Sequence, residues 1–252
     1  MKHSITKLLI TGLGVFILFH PFPASSSVVI AGTRVIYDAR ESEAVVKLSN
    51  EGRTPALVQA WIDDGNVKAA PAEMAVPFTV TPPVSRIDPN KGQTLRILYT
   101  GEPLPRDRES VFWLNVVEIP PKPTGDEAEV NRLQFAFRSR IKLFYRPAGL
   151  KGTAGEAPAQ IAWRLVRAGN RQALEARNPT AYHVSFSTLE ATGGGKSARF
   201  DDGGMVGPGE TKVFPLSGEV SAGVPGRLRY LAINDYGGPM DAEIDFGTAS
   251  AQ

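Results

Sequence analysis

The chain has 252 residues, with 28 Lys and Arg against 26 Asp and Glu, three histidines and no cysteine. Near-balanced charge removes bulk attraction to nucleic acid or to an anionic membrane. The missing cysteines exclude disulfides, thiol catalysis and cysteine-based metal sites.

At the N-terminus, Lys2, His3 and Lys7 precede an apolar run from Leu8 to Phe19, and Ala24, Ser25, Ser26 and Ser27 follow. A charged, then apolar, then small-residue order is that of a secretory signal peptide. The run is short for a bilayer span and is interrupted by Thr11, Gly12 and Gly14. The expectation is therefore export with cleavage: residues 1–26 as signal, a mature chain starting near Ser27, and no membrane insertion of that chain. The leader carries Lys2 and Lys7 and no acid, so the mature chain holds 26 basic and 26 acidic side chains. It also takes His3 and His20 with it, which leaves His183 alone and excludes histidine clusters for zinc. About 225 residues remain, enough for one or two ordinary cores.

Beyond the leader, short alternating or β-branched runs are separated by Gly, Pro, Asn and Asp. Strands are expected at Arg34 to Tyr37, Ala44 to Ser49, Ala56 to Ile62, Phe78 to Thr81, Thr94 to Tyr99, Val111 to Glu118 and Leu133 to Tyr145. Seven strands with turn signals between them and no amphipathic helix imply an immunoglobulin-like sandwich. Trp61, between Ala60 and Ile62, is expected to lie in its core. The last strand is unusually long. Its odd positions (Leu133, Phe135, Phe137, Ser139, Ile141, Leu143, Tyr145) are mostly apolar, and Arg138, Arg140 and Lys142 occupy even ones. Such a strand outruns its own core and leaves apolar side chains for another protein to cover.

Pro147, Gly149, Gly152, Gly155 and Pro158 then break the pattern and read as a linker. Strand patterns resume at Ile161 to Arg167, Ala173 to Arg177, His183 to Leu189, Thr211 to Pro215, Leu228 to Asn234 and Ala242 to Phe246. The expected architecture is all-β, with two immunoglobulin-like sandwiches (27–148 and 149–252) joined by a short hinge with a cleft between them.

Several candidate chemistries fail on their own terms. Gly193, Gly194, Gly195, Lys196 and Ser197 suggest a phosphate loop, but Glu190 stands where the motif needs glycine and no helix follows, so a hairpin loop is expected. His183 has no G-x-S-x-G elbow to serve and reads as structural. Asn178-Pro179-Thr180 has proline where a glycosylation acceptor forbids it. Asp63-Asp64 and Asp201-Asp202 lack the further ligands of a calcium loop and read as turns. Neither an enzyme nor a cofactor or metal is indicated. Arg34 in the first strand and Lys142 in the last remain. Two cations meeting in a cleft would suit an anion such as a peptide carboxylate, although from the residues alone each is more simply a solvated or ion-paired side chain.

The segment Leu104 to Pro120, LPRDRESVFWLNVVEIP, resembles the signature of the periplasmic pilus-assembly chaperones, the PapD-like partners of outer-membrane ushers; Asp107, Glu109, Ser110, Trp113, Asn115 and Pro120 carry the match. Thr33 to Tyr37, Thr81-Pro82-Pro83, Ile141 to Pro147, Asn178-Pro179-Thr180 and Ile233 to Gly237 are similar to further landmarks of that family, in its order.

The resemblance implies a chaperone that binds pilus or fimbrial subunits by β-strand addition and delivers them to an usher. On it, Arg34 and Lys142 would bind the carboxylate at the C-terminus of the pilus protein. Leu133, Phe135 and Phe137 would form the donor strand, and Glu109, Arg146 and Asp235 an ionic cluster between the domains. The short segment from Pro120 to Arg132 resembles the branch serving rod-like pili. Lys142 has the opposite parity to the three donor residues; a bulge or strong twist near Ser139 would reconcile them, and the sequence leaves this open. The alternative from another class is a secreted immunoglobulin-like adhesion or ligand-binding module.

Overall fold

A computed structural model describes residues 27–68, 70–71, 74–119, 135–221 and 224–246. Its first part contains β1 (Val28–Ile30), β2 (Arg34–Asp38), β3 (Ala44–Asn50), β4 (Ala56–Asp63), β5 (Phe78–Thr81), β6 (Val84–Ile87), β7 (Gly92–Tyr99), β8 (Ser110–Ile119) and β9 (Phe137–Arg146). Two sheets form, with orders β1-β3-β7-β5 and β2-β9-β8-β4-β6. The chain crosses from one sheet to the other between β1 and β2, and Gly32 takes φ +118° there, a conformation that disfavours a side chain.

Alternation drives this packing. Ala56, Val58, Ala60 and Ile62 of β4 point inward and are buried, as are Val46 and Leu48 of β3 and Leu95 and Ile97 of β7. Tyr37, Phe78, Tyr99 and Tyr145 close one end as a cluster of rings.

Three expectations need correction. Trp61 is not a core residue: it has the opposite parity to Ala60 and Ile62, and on the outer face its ring lies under Arg138, 4.9 Å from the guanidinium. Strands β1 and β6 were not expected, being short and flanked by turn residues. The last strand, expected from Leu133, begins only at Phe137, with Phe135 and Ala136 ahead of it. The open question of a bulge near Ser139 is answered by the ladder. Pairing of β8 with β9 runs unbroken from Ser110 opposite Tyr145 to Glu118 opposite Phe137. Phe137 therefore shares the core-side face with Ile141, Leu143 and Tyr145, while Arg138, Arg140, Lys142 and Phe144 share the outer face. Opposite faces of one regular strand carry the two sets of side chains, so no irregularity is required.

The second part contains β10 (Ala162–Ala168), β11 (Arg171–Arg177), β12 (Val184–Gly193), β13 (Lys196–Phe200), β14 (Gly204–Val206), β15 (Thr211–Pro215), β16 (Ser217–Gly218), β17 (Gly226–Ile233) and β18 (Pro239–Phe246). One sheet is β10-β11-β15, and the other is β16-β13-β12-β17-β18 with β14 also on β12. Their core gathers Leu174, Phe186, Leu189, Phe214, Leu228 and Tyr230. The glycine run is a tight hairpin turn from β12 to β13, with Gly194 and Gly195 at φ +60° and +75°. The expected linker is more than a connector: Leu150 and Ala154 pack on the second core and Ala157 is fully buried, opening a 3-10 turn over Ala157–Gln160.

Candidate functional site

The two sandwiches meet around Arg146, the last residue of β9. Its Nε donates to Glu109 Oε1 at 2.7 Å, and its Nη1 and Nη2 donate to the two carboxylate oxygens of Asp235 at 2.7 and 3.0 Å. Glu109 precedes β8 and is buried; its other oxygen accepts the His183 backbone N–H at 2.8 Å, and its own N–H donates to Ala181 O at 2.9 Å. Burial works to lower the Arg146 pKa, but Asp235 and Glu109 outweigh it, and the guanidinium is held above its ordinary value. Asp235 sits in the turn after β17, where Asn234 Oδ1 accepts the N–H groups of Tyr236 and Gly238. Gly237 in that turn is at φ +84°, and a Cβ there would strike Thr33 Oγ1. His183, expected to be structural, packs 5.5 Å from Phe144 in this joint.

Directly beside it, β2 and β9 run parallel with Arg34 opposite Lys142. Both side chains leave the outer face and reach the second sandwich. Arg34 Nη1 donates to Ile233 O at 3.0 Å, and Lys142 Nζ donates to Ser185 Oγ at 3.0 Å. Arg34 Nε is buried and has no hydrogen-bond partner among the described residues. Burial, with Arg34 and Lys212 nearby, pushes Lys142 down to about 8. Burial also lowers Arg34, against the pull of Asp235 and Glu109. Among the described residues no carboxylate forms an ion pair with either cation. They border a pocket of about 330 Å³ also lined by Trp113, Arg140, Ile233 and Gly237. Two cations held side by side at one pocket are chemically suited to an anion.

Away from the joint, β2 ends its pairing at Lys142, so from Phe137 to Ile141 strand β9 has β8 on one side and, among the described residues, no strand on the other. Phe137 is 38% exposed and Phe135 61%. Leu133, the first expected donor residue, lies outside the described residues. A free edge with exposed aromatic side chains is a template for another strand.

Residue-by-residue reading misses what stiffens this edge. Asp63 does serve the expected turn, accepting the Gly65 N–H at 2.7 Å. It is also fully buried, and it accepts from Arg140 Nε at 3.0 Å, Arg140 Nη2 at 2.5 Å and Asn115 Nδ2 at 2.7 Å. Arg138 donates to Asn115 Oδ1 at 2.9 and 2.7 Å, and Arg140 lies 4.5 Å over Trp113. Burial tends to raise the Asp63 pKa, but Arg140, Asn115 and the Gly65 N–H hold it below its ordinary value. The signal in the sequence is the row of cations at even positions of β9, which needs a counter-charge on a neighbouring strand.

Models for the pili and flagellar-assembly chaperone PapD N-terminal domain and the pili assembly chaperone PapD C-terminal domain match residues 27–151 and 156–244. The chain belongs to the PapD family of pili assembly chaperones. The resemblance and the two-sandwich fold expected from the sequence are borne out. The chain is 44% identical over 230 residues to the probable fimbrial chaperone YadV of Escherichia coli K12, covering 90% of this chain and 93% of that one. It is 47% identical over 245 residues to the chaperone protein FimB/FhaD of Bordetella pertussis, covering 94% and 97%. The solved complex of Salmonella enterica SafA pilin with the SafB chaperone contains a chain that superposes with a TM-score of 0.72 at 28% identity, covering 88% and 97%. Chaperones of the chaperone–usher family are periplasmic, and they are not enzymes.

Proposed function

We propose that this protein is a periplasmic chaperone that holds pilus subunits by lending them β9 and passes them to an outer-membrane usher. The observation that carries this reading is the division of β9: at one end Phe137, with Phe135 just ahead of the strand, is exposed beside an edge that no strand among the described residues covers, and at the other Lys142 lies opposite Arg34. A pilus protein lacking a strand exposes an apolar groove and unpaired backbone groups. A donated strand supplies hydrogen bonds and apolar filling together. The terminal carboxylate of the bound pilin, seated between Arg34 and Lys142, sets the register, because a slip of one residue turns every side chain to the wrong face. That SafB is solved with a pilin supports the same assignment here.

On this reading residues 1–26 are a cleaved signal, 27–148 the pilin-holding domain and 149–252 the second domain. Leu133, Phe135 and Phe137 are the donor residues, and the Glu109–Arg146–Asp235 cluster fixes the cleft. No observation favours the adhesion-module alternative, which has no use for two cations in one cleft.

The test is periplasmic co-expression with a pilin encoded in the same pilus system, followed by affinity capture of the chaperone. Wild type should retain the pilin, and Lys142→Ala should lose it while staying folded. Equal recovery from both would overturn the carboxylate-anchored mechanism.

A further inference from the structure

Glu118, near the end of β8, receives three donors from the start of β1. Ser27 N donates to its Oε2 at 2.9 Å, Val28 N donates to the same oxygen at 3.1 Å, and the Ser27 hydroxyl donates to Oε1. Ser27 is already held in the first sheet, since its carbonyl accepts the Glu51 N–H at 2.8 Å. Val28 pairs with Asn50 of β3. Strand β1 lies in one sheet and β8 in the other, so one carboxylate ties the two sheets together. Glu118 also stands directly opposite Phe137, at the start of β9, where no other strand among the described residues covers its second edge.

The sequence around this contact has Ala24 and Ser26 at the third and first positions before Ser27. Small residues at those two positions are what a signal peptidase requires. We infer that the Ser26–Ser27 bond is the processing site, and that the ammonium created on Ser27 forms an ion pair with Glu118. This rests on the export reading above.

In the cleavage, water adds across the amide. The Ser26 carbonyl leaves with the leader as a carboxylate, and the Ser27 nitrogen remains as an ammonium that takes up the proton. Before cleavage the nitrogen is a neutral amide donor; afterwards it is a charged donor, and charge-assisted hydrogen bonds are about twice as strong. Closure of the sandwich beside the donor strand thereby strengthens only after the leader is gone. Sequestering the apolar surface too early would hinder passage of an unfolded chain, so this order suits export.

The test begins with the full chain expressed with its leader. The mass and N-terminal sequence of the periplasmic product should show Ser27 first. An uncleaved chain would overturn both the export reading and this proposal. Cleavage at another bond would leave export standing and overturn only the proposal.

The pairing itself is tested by comparing Glu118→Gln in two backgrounds: the natural chain, and one with Gly-Gly inserted before Ser27, which moves the ammonium two residues away but keeps the Ser27 N–H. Glu118→Gln should shift the folding equilibrium about two- to five-fold more in the natural background, the range expected of a partly exposed ion pair. Equal shifts in both would show that the ammonium contributes nothing and would overturn the pairing.

Discussion

Arg34 and Lys142 are direct partners across the parallel pairing of β2 and β9, two cations side by side with no carboxylate among the described residues paired to either. Their juxtaposition does not favour the free chain. Lys142, pushed down to about 8, has a folded-state pKa below its unfolded value, so its charged form costs the folded protein free energy. That cost is full below pH 8 and fades as pH rises towards the unfolded value of about 10.4. Lys142→Met should raise the stability of the free chaperone by about 1–3 kcal/mol at pH 7, after discounting for solvent screening, and by much less at pH 10. Urea denaturation at the two pH values checks the sign. The same variant should fail to retain a pilin.

Binding a carboxylate between the two cations should raise the Lys142 pKa. Affinity for a peptide taken from the C-terminus of a pilin should therefore be flat from pH 6 to 7. It should fall by up to about tenfold per pH unit above about 8, where the free lysine has lost its proton. Titration calorimetry should also show proton uptake on binding at pH 8. Lys142→Arg, which keeps its charge, should flatten the profile.

The joint between the sandwiches depends on Arg146. Removing it leaves Glu109 buried without its cation, and losing one partner of a buried pair costs about 3–5 kcal/mol. Arg146→Ala should be far more damaging than Asp235→Asn, because the Asp235 side chain is 36% exposed and water replaces what it loses. Thermal denaturation ranks the two, and limited proteolysis within 147–156 reports loosening of the joint.

Phe135 and Phe137 give the opposite pattern. Because both are exposed, replacing them with alanine should change stability by no more than about 0.5 kcal/mol. Pilin retention should nevertheless be lost in the capture assay. Full retention by the double variant would remove these residues from the donor strand.

Asp63 should govern acid sensitivity. Its pKa is held below the ordinary value by Arg140, Asn115 and the Gly65 N–H, so its contribution is complete above the unfolded value of about 3.9 and disappears as pH falls through the lower folded value. Asp63→Asn should lower the denaturation midpoint at pH 6 and narrow the difference from wild type at pH 2. It should also speed amide exchange in β9, because Arg138 and Arg140 lose the network that fixes them.

The alternation in Ala56 to Ile62, Val111 to Glu118 and Phe137 to Tyr145 was enough to announce strands and an all-β class, since side-chain direction in a strand is a local, period-two property. The turn glycines and prolines marked the division into two sandwiches, and the ordered landmarks from Thr33 to Gly237 marked the family. Local pattern also misled. Tryptophan is apolar, which suggested a core position for Trp61, yet its parity sends it outward onto Arg138.

What the tertiary structure alone decided is which distant groups meet. Glu109, Arg146 and Asp235 join across 37 and 89 residues of chain, and Arg34 faces Lys142 only because β2 adds to β9 in parallel. Asp63 became a buried anchor through pairing of β4, β8 and β9 that no short window encodes. The opposed parity of Lys142 and Phe137 demands no bulge; it turns Phe137 to one face of a regular strand and Lys142 to the other, towards the second sandwich. Periodicity along a strand is written in neighbouring residues, whereas its edge, its partners and the charges that meet across it follow from non-local registry.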